Sequence, residues 1–225
     1  MSDGANPWLI GAGIVGSLYL MKPAHTPLGF AFYPRPPEHS KADFYAWLGP
    51  IARDTQRRTG IPASVRMAQA WRESRATGGG LNKLATVGRN LFGMKRGRCT
   101  MHYAIGSGAY ATWEERPAGP TPERHEFAHY PSHYAGALQQ CRLFYCAGAY
   151  ASALAYRTNP RQFLERIGPI YATHSAYVEA VWNDVQHWDL TRYDLAPHEW
   201  ALEAAIVGEQ HKSTWLTAIG HGRPS

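Results

Sequence analysis

From Lys41 onward the apolar positions of this chain recur at helical spacing. Phe44, Trp47, Leu48 and Ile51 fall on one face, which predicts a helix over Lys41–Thr59. Pro62 suits the first turn of a second helix, because its missing N–H is not needed there. That helix is expected to run to about Ser74 and to stop before Gly78, Gly79 and Gly80. The periodicity then lapses. Residues 93–127 mix Gly and Pro with aromatic and β-branched residues, which suits a loop or a small irregular sheet. Helical spacing returns over Ser132–Ala149, Pro160–Ile167 and Ser175–Trp188. No internal repeat is visible. The pattern reads as mostly α, with a small β or loop insertion after the first third.

The two ends read differently. The apolar run Trp8–Met21 contains three Gly and is too short for the roughly 20 residues of a membrane-spanning helix. An export signal carries positive charge ahead of its apolar stretch, whereas only Asp3 precedes this one. Lys22 follows it, which in a membrane helix would leave the rest of the chain in the cytoplasm. The run is expected to be a buried or loosely packed segment, with membrane contact by residues 8–21 as the alternative. Pro23, Pro27, Pro34, Pro36 and Pro37 then mark a linker. These features divide the chain into an N-terminal segment with linker (1–40), a main domain (41–190) and a C-terminal tail (191–225). In the tail Trp200–Val207 reads as a short helix, able to dock on a carrier or partner.

Composition narrows this picture. With 225 residues, 44% hydrophobic and 18% charged, the chain is globular, and disorder throughout is excluded. The formal charge is +6, but it is concentrated: residues 41–190 hold 18 basic and 11 acidic side chains. A basic centre calls for a polyanionic partner, whether nucleic acid, an acidic membrane surface or bacterial cell wall. Three Cys are too few for a disulfide-built scaffold. Cys99 could bridge to Cys141 or Cys146, and three free thiols are an equal reading. The 11 His are scattered and no metal site is expected. Gly11-Ala-Gly-Ile-Val-Gly16 has the letters of a dinucleotide-binding turn, but no βαβ pattern follows, so no cofactor is expected. No nucleic-acid-binding motif accompanies the aromatic residues.

The chemistry concentrates around Glu73. It falls on the last turn of the second helix with Met67, Ala70 and Trp71 as neighbours. A carboxyl group held against apolar walls keeps its proton to higher pH, because its charged form is poorly solvated. That is what a general acid for glycosidic cleavage requires.

Three motifs occur in order: Ala68-Gln-Ala-Trp-Arg-Glu-Ser74, Asn90-Leu-Phe-Gly-Met-Lys95 and Tyr171-Ala-Thr173. Together they resemble glycoside hydrolase family 73, the bacterial endo-β-N-acetylglucosaminidases that cut peptidoglycan. Gly80-Leu-Asn-Lys-Leu-Ala85 is similar to a further family stretch, with Asn82 in place of Ser. The likeness covers roughly residues 41–190. It implies a mostly α, lysozyme-like α+β fold with a small β-hairpin lobe beside the substrate groove. It also implies cleavage of the β-1,4 bond after N-acetylglucosamine, with Glu73 as general acid and Tyr171 lining the site. Asn90, Phe92 and Gly93 would form the turn beneath the groove, and Trp71 would join them near substrate. For Asn90 a turn-stabilising side chain is an equal reading.

A second carboxylate would come from the hairpin lobe, where Thr112-Trp-Glu114-Glu115 precedes Phe127-Ala-His-Tyr130-Pro-Ser132. Glu114 fits best and Glu115 is the near alternative; Glu123 and Glu126 are expected to be solvated. The substrate's own N-acetyl group could replace that carboxylate. The chain departs from the family at Ser74–Gly80, which is longer and lacks a Trp common there. The implied partners are peptidoglycan strands in the periplasm or wall. An antibacterial effector with an inhibitor protein and a secretion carrier, a phage lysin, or a wall-binding protein of little activity are the readings that remain.

Overall fold

A computed structural model describes residues 34–114, 121–172, 174, 176–208 and 211, with the side chains of residues 113, 114, 121 and 122 excepted. The apolar run Trp8–Met21, the Gly11–Gly16 letters and Glu115 lie outside the described residues. Two long helices form the centre: α1 (Lys41–Thr59) and α2 (Ala63–Glu73). A short α3 (Lys83–Thr86) follows, then a hairpin of β1 (Gly106–Glu114) and β2 (Thr121–His129). Next come α4 (His133–Cys146), a run of tight 3₁₀ turns over Gly148–Tyr156, α5 (Pro160–Tyr171) and α6 (Tyr177–His187). Two further 3₁₀ turns lead to α7 (Ala204–Val207).

Local chemistry sets these boundaries. Ser40 opens α1 by accepting a hydrogen bond from the Asp43 N–H, and Gly60 ends it in the left-handed conformation at φ 74°. Ser132 caps α4 through the Ala135 N–H, and Asn159 caps α5 through the Gln162 N–H. α5 runs past the expected Ile167 to Tyr171 although it contains Pro169. A proline in the last turn removes only one terminal hydrogen bond, and the burial of Phe163, Leu164 and Ile167 outweighs that loss.

The core is one cluster. Phe44, Leu48 and Ile51 of α1 meet Met67 and Ala70 of α2, and these pack against Tyr134, Leu138 and Phe144 of α4, Phe163 and Ile167 of α5 and Val181 of α6. The expected face of α1 is therefore the buried one, with Trp47 at its edge. The hairpin stands apart from this mass as a two-stranded antiparallel sheet, in register from Gly106 opposite His129 to Glu114 opposite Thr121.

The stretch expected as a tail from residue 191 is packed onto the helices as far as Gly208. The Ala201 N–H donates to the Arg57 carbonyl and the Glu203 N–H to the Arg58 carbonyl. Arg58 forks onto both oxygens of Glu203 at 2.6 and 2.7 Å. The Trp200 ring covers Gly60, where a Cβ would come within 2.9 Å of it. Residues 34–40 also pack on the domain, with the Trp47 indole donating to the Pro34 carbonyl at 2.8 Å. Among the described residues no helix is long and apolar enough to cross a membrane.

Candidate active site

Glu73 is the last residue of α2, and both ends of that helix are fastened from elsewhere. Pro62 offers no side-chain cap. Asp194 supplies one from 130 residues away: it accepts from the Ser64 N–H at 2.9 Å and from the Ser64 hydroxyl at 2.6 Å. At the other end Asn82 donates to the Glu73 carbonyl at 2.9 Å while its own oxygen caps α3 through the Ala85 N–H at 2.8 Å. One side chain thus ties the end of α2 to the start of α3.

The turn Asn90–Lys95 forms the facing wall. Asn90 is buried and its amide is fully engaged. It donates to the Met94 carbonyl at 2.9 Å and the Ala128 carbonyl at 3.0 Å, and accepts from the N–H groups of Phe92 and Met94 at 3.3 and 3.1 Å. Gly93 adopts φ 62° and turns its bare α-carbon toward the acid: a Cβ there would stand 3.5 Å from Glu73 Oε2. The Tyr171 hydroxyl donates to the Phe92 carbonyl at 2.6 Å, so the end of α5 clamps the same turn. The Tyr171 ring stacks on Tyr177, with centroids 6.2 Å apart and planes 19° from parallel.

Between these walls and the hairpin lies a cleft of about 1040 Å³. Glu73, Phe92, Gly93 and Tyr171 line its floor, Arg75, Ala76 and Thr77 one side, and Tyr110, Ala111 and Thr112 of β1 the other. Lys83, Lys95 and His174 also reach it; with Arg75 the lysines make the surroundings of Glu73, the one acid among the described lining residues, cationic. Glu73 itself is half-buried. Burial pushes its carboxyl above the usual carboxylate range, opposed by a hydrogen bond from Tyr177 and by the Arg72 charge. A carboxyl that stays protonated within an open cleft can hand its proton to a leaving oxygen.

Of the residues expected at the site, Glu73, Phe92, Gly93 and Tyr171 come together. Asn90 acts on the turn rather than on a ligand, since each of its polar positions is taken. Trp71 does not line the cleft: it packs on Phe44 at 5.2 Å, and the Arg75 guanidinium lies 4.3 Å over its ring. The Glu114 backbone ends β1, paired with Thr121 and two positions beyond Thr112 of the cleft wall. Glu126 is exposed and paired with Arg96 at 2.7 Å, and Glu123 with His125 at 3.0 Å. Sequence reading passed over Tyr177, whose distance from the last motif hides its place beside Glu73. It also passed over His125-Glu-Phe-Ala-His129, which has the letters of a helical zinc motif. These residues lie on β2, where the two His are about 13 Å apart along the strand. Among the described residues no group of three His, Cys, Asp or Glu is arranged to hold a metal.

Cys99 is bonded to Cys146, and Cys141 is buried and free. The bridge joins the loop after the Asn90–Lys95 turn to the end of α4. Gln139 reinforces it, donating to the Cys99 carbonyl and accepting from the Tyr103 N–H, both at 2.8 Å.

A helical body, a hairpin lobe and an acid at the end of a central helix define a lysozyme-like glycoside hydrolase. The family described as mannosyl-glycoprotein endo-beta-N-acetylglucosaminidase matches residues 49–189, well over half of the chain. The chain belongs to this glucosaminidase family. Among solved structures, the catalytic domain of the autolysin Auto from Listeria monocytogenes is similar at 24% identity and TM-score 0.56, over 68% of this chain and 87% of its own. An N-acetylmuramoyl-L-alanine amidase from Staphylococcus aureus gives 20% identity and TM-score 0.56, over 70% of this chain and 45% of its own. A peptidoglycan hydrolase mutant from Sphingomonas sp. A1 gives 20% and 0.53, over 68% and 97%. These likenesses show the shared fold. No curated protein matches the sequence.

Proposed function

We propose that this enzyme hydrolyses the β-1,4 bond after N-acetylglucosamine in peptidoglycan, with Glu73 as the general acid. The observation that carries this reading is a half-buried carboxyl, its acidity weakened by burial, on the floor of an open cleft. Glu73 gives its proton to the glycosidic oxygen as the bond to the anomeric carbon breaks. Water completes the reaction at that carbon: in direct attack the base takes its proton and solvent reprotonates Glu73, and after attack by the substrate's N-acetyl oxygen Glu73 itself takes the proton of the incoming water. Tyr171 lines the floor against the sugar. Glu114 on the lobe is the proposed second carboxylate, which would activate the water. The cationic surroundings favour an anionic polymer, which wall glycan with its peptide carboxylates provides. Proteins of similar fold carry the names autolysin and peptidoglycan hydrolase, in keeping with this substrate.

Glu73→Gln keeps the shape and removes the proton. It is expected to slow release of reducing ends from purified peptidoglycan by at least about 10³-fold. A variant as fast as wild type sinks the assignment. Mass spectrometry of the digest names the bond: N-acetylglucosamine at the new reducing end is the expected result, and muramic acid there would make the enzyme a muramidase.

The Cys99–Cys146 bridge supports action in an oxidising compartment such as the periplasm. Delivery as an antibacterial effector fits that location. It predicts toxicity when the chain is directed to the periplasm and none when it is held in the cytoplasm. Equal growth in both cases contradicts it.

A further inference from the structure

Arg66 poses a question that the cleft alone does not answer. It lies on α2, is 1% exposed, and none of its hydrogen-bond partners among the described residues is a carboxylate. A buried guanidinium with neutral partners is costly, since its charge has left water without a counter-ion. Its N–H groups donate to the Thr55 hydroxyl at 2.6 Å, the Ala137 carbonyl at 2.8 Å and the Gln140 side-chain oxygen at 3.0 Å.

The last of these bonds begins a chain. The Gln140 amide nitrogen donates to the Gln69 side-chain oxygen at 3.2 Å, and the Gln69 amide nitrogen donates to the Tyr177 hydroxyl at 3.0 Å. Both glutamines are fully buried. The Tyr177 hydroxyl in turn stands beside the Glu73 carboxyl and favours its charged form. Arg66, Gln69 and Glu73 stand at helical spacing on one stripe of α2, so the chain leaves the helix at Arg66 and returns at Glu73.

Its direction is fixed from the Arg66 end. An arginine only donates, so Gln140 must present its oxygen to Arg66 and its nitrogen to Gln69. Gln69 then spends its oxygen on Gln140 and has only its nitrogen for Tyr177. A tyrosine hydroxyl has one hydrogen. Having accepted from Gln69, it has that hydrogen free for Glu73. Donated to Glu73, that hydrogen makes the oxygen facing Tyr177 an acceptor and leaves the acid proton to the other oxygen.

We propose that Arg66, Gln140, Gln69 and Tyr177 form a one-way hydrogen-bond chain that places the transferable proton of Glu73 on the oxygen turned away from Tyr177. All four are positioning residues, and Tyr177 is the one through which the others act. The proposal rests on Glu73 being the general acid. It gives Gln69, a member of the Ala-Gln-x-x-x-Glu-Ser motif, a chemical task.

The test is the pH dependence of kcat in Tyr177→Phe, in Gln69→Met and in the double variant, with Glu73→Gln alongside. Among the described residues, the charged and titratable groups around Glu73 are Arg72 on its own helix, Tyr171 and Tyr177, and Arg75, Lys83, Lys95 and His174 of the cleft. None of these changes in Gln69→Met, and Tyr177→Phe removes one hydroxyl. Without the Tyr177 donor the carboxylate loses a stabilising bond, so Glu73 holds its proton to higher pH. The alkaline limb should move up by about half a unit or more, and kcat should fall about ten-fold with KM little changed. Gln69→Met should move the limb in the same direction by less, and should add nothing once Tyr177 is Phe. An alkaline limb that stays in place in Tyr177→Phe overturns the chain, and so does a Gln69→Met effect that persists in the Tyr177→Phe background. Should Gln69→Met fail to fold, the Tyr177→Phe profile decides alone. An active Glu73→Gln refutes the general-acid reading itself, whereas an inactive Glu73→Gln with an unmoved Tyr177→Phe limb refutes only the chain.

Discussion

The two walls of the cleft are built by opposite means. The Glu73 wall is a central helix with buried residues along most of its length, capped by Asp194, tied off by Asn82 and anchored by Arg66. The hairpin wall is two strands in which only Phe127 and Ala128 are buried among the residues whose side chains are described. Its attachment to the body is at its base, where the Ala128 N–H donates to the Met94 carbonyl at 3.1 Å and Asn90 holds the Ala128 carbonyl. Farther out, the strands' backbone bonds are mainly to each other. Few buried contacts and solvent-facing ladders mean low local stability. The difference teaches a division of labour: the helix fixes the acid, and the lobe is the wall with fewer buried contacts to hold it.

Breaking the joint between the walls should have a large effect on stability. Asn90→Ala leaves the Ala128 carbonyl and the Phe92 and Met94 N–H groups without this partner and takes one of two donors from the Met94 carbonyl, and should cost about 3 kcal/mol or more in chemical denaturation. A loss well below 1 kcal/mol would mean that the walls are joined elsewhere. Reducing the Cys99–Cys146 bridge frees a segment of 47 residues, for which loop closure gives about 4 kcal/mol. Its loss should lower the melting temperature and, because the bridge steadies the loop leading into β1, raise KM more than it lowers kcat. Asp194→Ala uncaps the Glu73 helix at its far end and should cost about 1–2 kcal/mol, with the bond cut unchanged. On the lobe, Glu126→Gln breaks the exposed pair with Arg96 and should leave the melting temperature unmoved. A clear drop there would show that the lobe is held more firmly than its few contacts imply.

The helical wall was largely legible in the sequence. The face of α1 followed from Phe44, Leu48 and Ile51, and Glu73 followed from its motif and its apolar neighbours. Ser132 could be read as opening the helix it caps. Residues bound over long distances could not be read. Asp194 caps a helix 130 residues before it, and Gln140 joins Arg66 to Gln69 across 74 and 71 positions. Periodicity reports which face is buried, not which polar group meets which inside it. The packing of residues 191–208 was hidden for the same reason, because a short apolar stretch looks alike whether it covers α1 or a partner. Trp71 was misplaced by proximity: two positions before Glu73, it points to another side of the helix.

The pH dependence of peptidoglycan cleavage tests most directly the proposal that Glu73 delivers a proton from a half-buried site. Burial raises the pKa of this acid, so activity should persist to pH above the usual carboxylate range and fall as pH rises through the raised value. Glu73→Gln should be inactive at every pH while its melting temperature stays near that of wild type. A folded Glu73→Gln protein that releases reducing ends at the wild-type rate would contradict the account.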